Sequence, residues 1–149
     1  MGTRILGLDI GDKRIGVALS DPTGILASPL TIIDRTTDDR AIDDILKIVT
    51  ERGVKRIVVG LPCSRDGSIG HQAEKVQSFT EALRQHTTVP VEYRDERLTT
   101  VTAIRLKQEA STRKLNRKTR YDAMAAAIIL QEYLNENLSD NNQVINGNL

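Results

Sequence analysis

A single cysteine, Cys63, stands in a chain of 149 residues, which excludes an internal disulfide and a cysteine-based zinc cluster. There is no tryptophan, and Phe79, Tyr93, Tyr121 and Tyr133 make up the whole aromatic set. They form no interleaved platform on which successive bases could stack, which argues against single-strand capture by stacking. His71 and His86 show no ligand spacing and are expected to be exposed on or beside helices. No apolar run approaches the length needed to span a bilayer, and the opening MGTRILG enters a strand without the apolar core of an export signal. A cytoplasmic protein is the expectation. The net charge of +1 rules out a uniformly basic surface, so nucleic-acid binding would need a local patch.

What is present is enough aliphatic sequence for the core of one domain. The reading places that domain at residues 1–138 and a disordered tail at 139–149, where Asn141, Asn142, Asn146 and Asn148 keep hydrophobicity low. The stretch ILGLDIGDKRIGVALS organises the rest. It reads as a buried strand from Ile5 to Leu8, an acid at Asp9 at the strand's exit, a glycine-pinned turn from Gly11 to Lys13, and a second strand from Arg14 to Ser20. Asp21-Pro-Thr-Gly24 makes the next reversal, and Pro29 near the start of Ser28 to Asp34 marks a short edge strand.

A capping pattern at Thr36 to Asp39 opens a helix whose Ile42, Ile45, Leu46 and Val49 recur at helical spacing up to a stop at Gly53. A buried strand from Arg56 follows, then a loop from Gly60 to Gly70. A second helix carries Val76, Phe79 and Leu83 on one stripe, and a strand runs from Val91 to Asp95. A short helix to about Glu109, a polar segment from Ser111 to Arg120 and an alanine-rich helix from about Tyr121 to Leu138 complete the order. Strand-helix-strand connections demand right-handed crossovers between parallel strands, whereas the first three strands form an antiparallel meander. The expected fold is α/β: a ribonuclease-H-like mixed five-stranded sheet of order 3-2-1-4-5 with helices on both faces.

That order puts Asp9 on the central strand. Burying a lone carboxylate is costly, so Asp9 is paired, protonated, holds a cation, or caps the turn through its side chain. Two further acidic positions are candidates to converge on it. Asp95-Glu96 closes the fifth strand at the same sheet edge, and Asp122 opens the last helix behind Arg113, Lys114, Arg117, Lys118 and Arg120. Each has a structural alternative, Asp122 as an acid at a helix N-terminus and Glu96 as an exposed partner of Arg94 or Arg97. Carboxylates gathered without Cys or His suit a hard cation, Mg2+ or Mn2+, which offsets their repulsion. Ions so held polarise a phosphate and stabilise the leaving oxygen, which is the chemistry of phosphodiester hydrolysis. The basic run would hold a nucleic-acid backbone, giving affinity without sequence choice.

The stretches LDIGDKRIGVALSD, VVGLPCSRDGSIGHQAEKVQSF, DERLTTVTA and YDAMAAAIILQEYL, in this order, resemble the YqgF family, the pre-16S rRNA nucleases once labelled Holliday junction resolvases. The resemblance reaches to about Leu138. It implies that Asp9, Glu96 and Asp122 are the catalytic metal-binding acids, and it selects Glu96 over Asp95, a choice that strand alternation had left open. It also implies that the loop from Gly60 to Gly67 lines the cleft, with Ser64 near the substrate backbone. After Gly-Leu-Pro the family usually reads Leu-Asn-Met, whereas Cys63, Ser64 and Arg65 stand here. Lys13, Arg14, Ser64 and Arg65 join the basic run as expected nucleic-acid contacts. Precursor rRNA is the expected partner, with branched DNA as the resolvase alternative, and the chain is expected to be a monomer or weak dimer. Two other readings compete. Asp-x-Gly before a second strand also opens the domains of the actin and sugar-kinase group, but those proteins close two such domains over a nucleotide. A non-catalytic nucleic-acid-binding factor, acting in transcription or on ribosomal precursors, is the remaining alternative.

Overall fold

The structure is a computed structural model and describes residues 3–62, 70–95 and 123–137. The expected short helix to about Glu109, the polar segment Ser111 to Arg120 and the tail from Ser139 lie outside the described residues.

Strand β1, Arg4–Ile10, pairs antiparallel with β2, Arg14–Ser20, and β2 pairs antiparallel with β3, Ala27–Asp34. On its other side β1 pairs parallel with β4, Val54–Leu61, which pairs parallel with β5, Val91–Asp95. The sheet order is β3-β2-β1-β4-β5, as expected. Pro29 lies on the edge strand β3, beside the register shift between Val17 and Ala18 where the ladder is irregular.

Helix α1, Asp38–Arg52, is built from local signals. The Thr37 hydroxyl accepts from the Arg40 amide at 3.2 Å, Asp38 and Asp39 favour the positive end of the helix dipole, and Gly53 ends the helix with φ 64°. Helix α2, His71–Arg84, buries Ala73, Val76, Phe79, Thr80 and Leu83 on one stripe. Residues 123–137 form a third helix, α3. Among the described residues no helix is long and apolar enough to cross a membrane. His71 and His86 are exposed, as the sequence implied.

Side-chain alternation divides the core between the two sheet faces. Leu6, Leu8, Ile10, Ile15, Val17, Ile57, Val59 and Val91 pack with the buried stripes of α1 and α2. Ile5, Ala18 and Val58 point the other way and pack with Ala125, Ala126, Ile129, Leu130 and Tyr133 of α3. Helices therefore cover both faces. The alanines of α3 allow close approach, and Gly7 of β1 answers them: a Cβ at Gly7 would lie 2.8 Å from the Leu130 Cβ and 3.0 Å from the Ala126 carbonyl oxygen.

A polar cluster closes one flank of this face. The Tyr133 hydroxyl accepts from the Arg56 guanidinium at 2.8 Å and donates to Glu92 at 2.7 Å, while Arg56 and Glu92 lie 3.5 Å apart. The hydrogen bond that the guanidinium donates to Tyr133 is the main influence raising the Arg56 pKa above its ordinary value. Arg94 forms ion pairs with Glu132 at 3.1 Å and with Glu136. The Glu132 contact lacks hydrogen-bond geometry, so the pair acts by charge alone. Tyr133→Phe removes both hydroxyl bonds at once and is expected to cost about 1–2 kcal/mol, read as a lower Tm. An unchanged Tm would mean that Arg56 and Glu92 pair equally well without the hydroxyl.

Candidate active site

Asp9 lies inside β1, not beyond its end. The sequence reading stopped the strand at Leu8, because a carboxylate interrupts an apolar run. Backbone pairing is indifferent to that side chain, and the ladder continues through Asp9 opposite Gly16 and Ile10 opposite Ile15. Asp9 is 8% exposed and is held by contacts within the fold. Since Leu8 and Ile10 belong to the α1/α2 core, alternation turns Asp9 to the α3 face, together with Ile5 and Gly7.

The neighbours of Asp9 across the sheet have no side chains on that face. Gly16 is its partner on β2, and one step beyond the Leu8–Val59 pair brings Gly60 of β4 level with it. The row continues to Arg94 on β5, the register partner of Gly60. Glycine on both neighbouring strands keeps the side chains of those strands away from the Asp9 carboxylate, an oxygen donor of the kind a hard cation takes. The donor chemistry thus fits Mg2+ or Mn2+ at Asp9. Among the described residues no group of three or more His, Cys, Asp or Glu could hold a metal on its own.

The structure also separates Asp95 from Asp9. Val91 and Tyr93 pack with the α1/α2 core, so alternation along β5 puts Asp95 on that face, opposite to Asp9. Sequence alternation alone could not show this, because it did not reveal which face each strand turns to which helix. Ala126 and Leu130 of α3 sit over Gly7, two residues before Asp9 on the same face. Ala123, where the described part of α3 begins, is therefore within about one helical turn of that position. Glu96, Asp122, Ser64, Arg65, Arg113, Lys114, Arg117, Lys118 and Arg120 lie outside the described residues.

Lys13 and Arg14 are described. Lys13 is exposed in the β1–β2 turn, and Arg14 opens β2 with the parity of Gly16, on the face that carries Asp9. Gly11 makes this turn possible: its amide donates to the Arg14 carbonyl at 2.9 Å, and a Cβ on Gly11 would lie 2.7 Å from that same oxygen. Gly11→Ala must therefore open the turn. The expected loss is about 1–3 kcal/mol with the fold retained, measurable by chemical denaturation. A variant as stable as the parent would show that the turn relaxes without loss.

Arg35 carries no signal in the sequence pattern. It lies between the end of β3 and the cap of α1, where a single basic residue reads as a solvated charge, yet its side chain is only 15% exposed. Gly7 likewise carries no local signal, although the alanines of α3 point to close packing from the other side.

A model of the family described as "RuvX: Holliday junction resolvase" matches residues 3–136. The chain belongs to the RuvX family. This is the YqgF resemblance read from the motifs. A protein of Desulforudis audaxviator (strain MP104C) is 45% identical over 139 residues, covering 93% of this chain and 99% of that one. One of Clostridium acetobutylicum is 47% identical over 132 residues, covering 89% and 98%. Both carry the name "Putative pre-16S rRNA nuclease". Among solved structures, Thermus thermophilus RuvC in complex with a Holliday junction substrate superposes with a TM-score of 0.57 at 14% identity, covering 92% of this chain and 96% of that one. At that identity the likeness speaks for the fold alone, and it is the ribonuclease-H-like arrangement expected of RuvX.

Proposed function

We propose that this RuvX protein is a metal-dependent nuclease that hydrolyses phosphodiester bonds in the maturation of the 5′ end of 16S rRNA. The observation that carries the reading is Asp9: a buried carboxylate on the central strand, flanked by glycines, on the face covered by α3. Relatives of nearly the same length bear the corresponding name.

The metal-binding set is Asp9, Glu96 and Asp122, holding Mg2+ or Mn2+. Asp95 alternates away from Asp9, which removes the competing acid at this point of the chain. Asp122 directly precedes Ala123, near which α3 meets Gly7. A cation held by these acids would supply Lewis-acid chemistry for phosphodiester hydrolysis, polarising the phosphate and stabilising the departing oxygen. Asp9 anchors it from a rigid strand, so its position does not have to be organised at each turnover. Lys13 and Arg14, with Ser64, Arg65 and the run Arg113, Lys114, Arg117, Lys118 and Arg120, hold the RNA backbone through charge, and impose no choice of base. The protein acts in the cytoplasm as a monomer or weak dimer.

The name of the family model favours a second substrate, the four-way DNA junction. The test is cleavage of a 5′-extended 16S rRNA precursor beside a synthetic four-way junction, each with Mg2+ or Mn2+. Trimming of the RNA alone is the expected result. Paired symmetrical cuts in the junction alone would transfer the activity to resolution. Binding of RNA without any cleavage would leave a non-catalytic factor.

A further inference from the structure

Arg35 grips the turn that follows Asp9 in two ways. Its backbone amide donates to the Lys13 carbonyl at 2.9 Å, and its guanidinium donates through Nη1 to the Gly11 carbonyl, also at 2.9 Å. Nε of the same guanidinium donates to Asp38 in the first turn of α1 at 2.8 Å, and the group stands 4.9 Å above the centre of the Phe79 ring of α2. One side chain thus joins the β1–β2 turn to both helices of its face. The turn is also braced by a weaker, solvated pair between Lys75 of α2 and Asp12 at 3.6 Å. Lys13, Asp12, Arg35, Asp38, Lys75 and Ser78 line an open groove of about 660 Å3 beside it.

These contacts converge on the few residues between Asp9 and Arg14. Gly11 follows Asp9 by two positions, and Lys13, whose carbonyl Arg35 engages, follows it by four. We infer that Arg35 is a positioning residue: it fixes the β1–β2 turn from the α1/α2 side, and so holds Arg14, on the face that carries Asp9, at a constant spacing from that metal-binding carboxylate. The inference rests on the nuclease reading above. The planar fork matters because it addresses a carbonyl and a carboxylate at once while its face lies on an aromatic ring. A lysine ammonium carries the same charge without that geometry.

Arg35→Lys is the variant that decides, with Arg35→Gln beside it, assayed on whichever substrate the wild type cleaves. Expected are a kcat lower by about tenfold or more in both variants, with KM and the salt dependence of binding unchanged, because orientation is lost while phosphate contacts remain. Amide hydrogen exchange gives the second readout. The Gly11 amide, bonded across the turn, should exchange at least about tenfold faster, while that of Val58 in the core stays protected. A raised KM with a shallower salt slope would make Arg35 a phosphate contact instead. Loss of protection at Val58 as well would reduce it to a stabilising residue, and full activity in Arg35→Lys would show that charge alone suffices. An unchanged kcat against an active wild type overturns the inference and leaves the nuclease standing; an inactive wild type overturns both.

Discussion

Asp9→Asn is expected to lower the rate of phosphodiester cleavage by about 10^3-fold or more, while RNA binding stays within about threefold of the parent. The substitution keeps the shape of the side chain and removes its charge. Because Asp9 is buried between two glycine positions on the central strand, no neighbouring side chain on those strands is placed to supply the missing charge. Affinity for Mn2+, followed by titration without any substrate, should fall by about tenfold or more. A variant that cleaves normally but melts earlier would reverse the reading, leaving Asp9 as a structural acid of the strand.

Gly7→Val is expected to cost about 3 kcal/mol or more, the largest loss of stability predicted here. Local preference argues the other way, because valine suits a strand better than glycine does. Packing decides the sign. The first carbon added at Gly7 already falls 2.8 Å from the Leu130 Cβ and 3.0 Å from the Ala126 carbonyl oxygen. Neither atom is the end of a flexible side chain, so α3 as a whole has to move off the sheet. Thermal or chemical denaturation measures the effect, and Gly7→Ala should fall between the parent and the valine variant. Valine raising the Tm would mean that α3 does not rest on β1 as the structure has it. Because α3 covers the face that carries Asp9, the variant is also expected to lose activity at temperatures where it remains folded.

The parts of the fold that local chemistry determines were legible in the sequence. The limits of β2 and β5 followed from turn residues and apolar alternation, and the stop of α1 at Gly53 followed from a glycine that supplies a left-handed φ. The sheet order followed from connection rules, which need no knowledge of side-chain contacts. Other features depend on residues far apart in the chain. The partnership of Gly7 with Leu130 spans the whole domain, so a glycine in an apolar strand gave no hint of its neighbour. Arg35 carries no local signal because its acceptors, Gly11 and Asp38, and its ring partner, Phe79, come from three other elements. The end of β1 was misplaced for a related reason: pattern reading follows side chains, whereas pairing with Gly16 belongs to the backbone.

Asp95, the last residue of β5, and Glu96 are adjacent carboxylates. Alternation supplies a parity but no origin, and only the packing of Val91 and Tyr93 against the α1/α2 core ties that parity to a face. Once the face is known, Asp95 turns away from Asp9. Exchanging the two acids one at a time, Asp95→Asn and Glu96→Gln, should therefore separate them, with only the second losing cleavage.

The most direct measurement is the metal dependence of precursor cleavage in wild type and Asp9→Asn side by side. Purified protein is stripped with a chelator, incubated with 5′-extended 16S rRNA precursor, and then given Mg2+ or Mn2+. Metal-dependent hydrolysis at Asp9 requires no cleavage in the stripped state, recovery of 5′ trimming in the wild type on adding either ion, and no recovery in Asp9→Asn at equal RNA binding. Cleavage by stripped protein, or equal recovery in the two proteins, would contradict it.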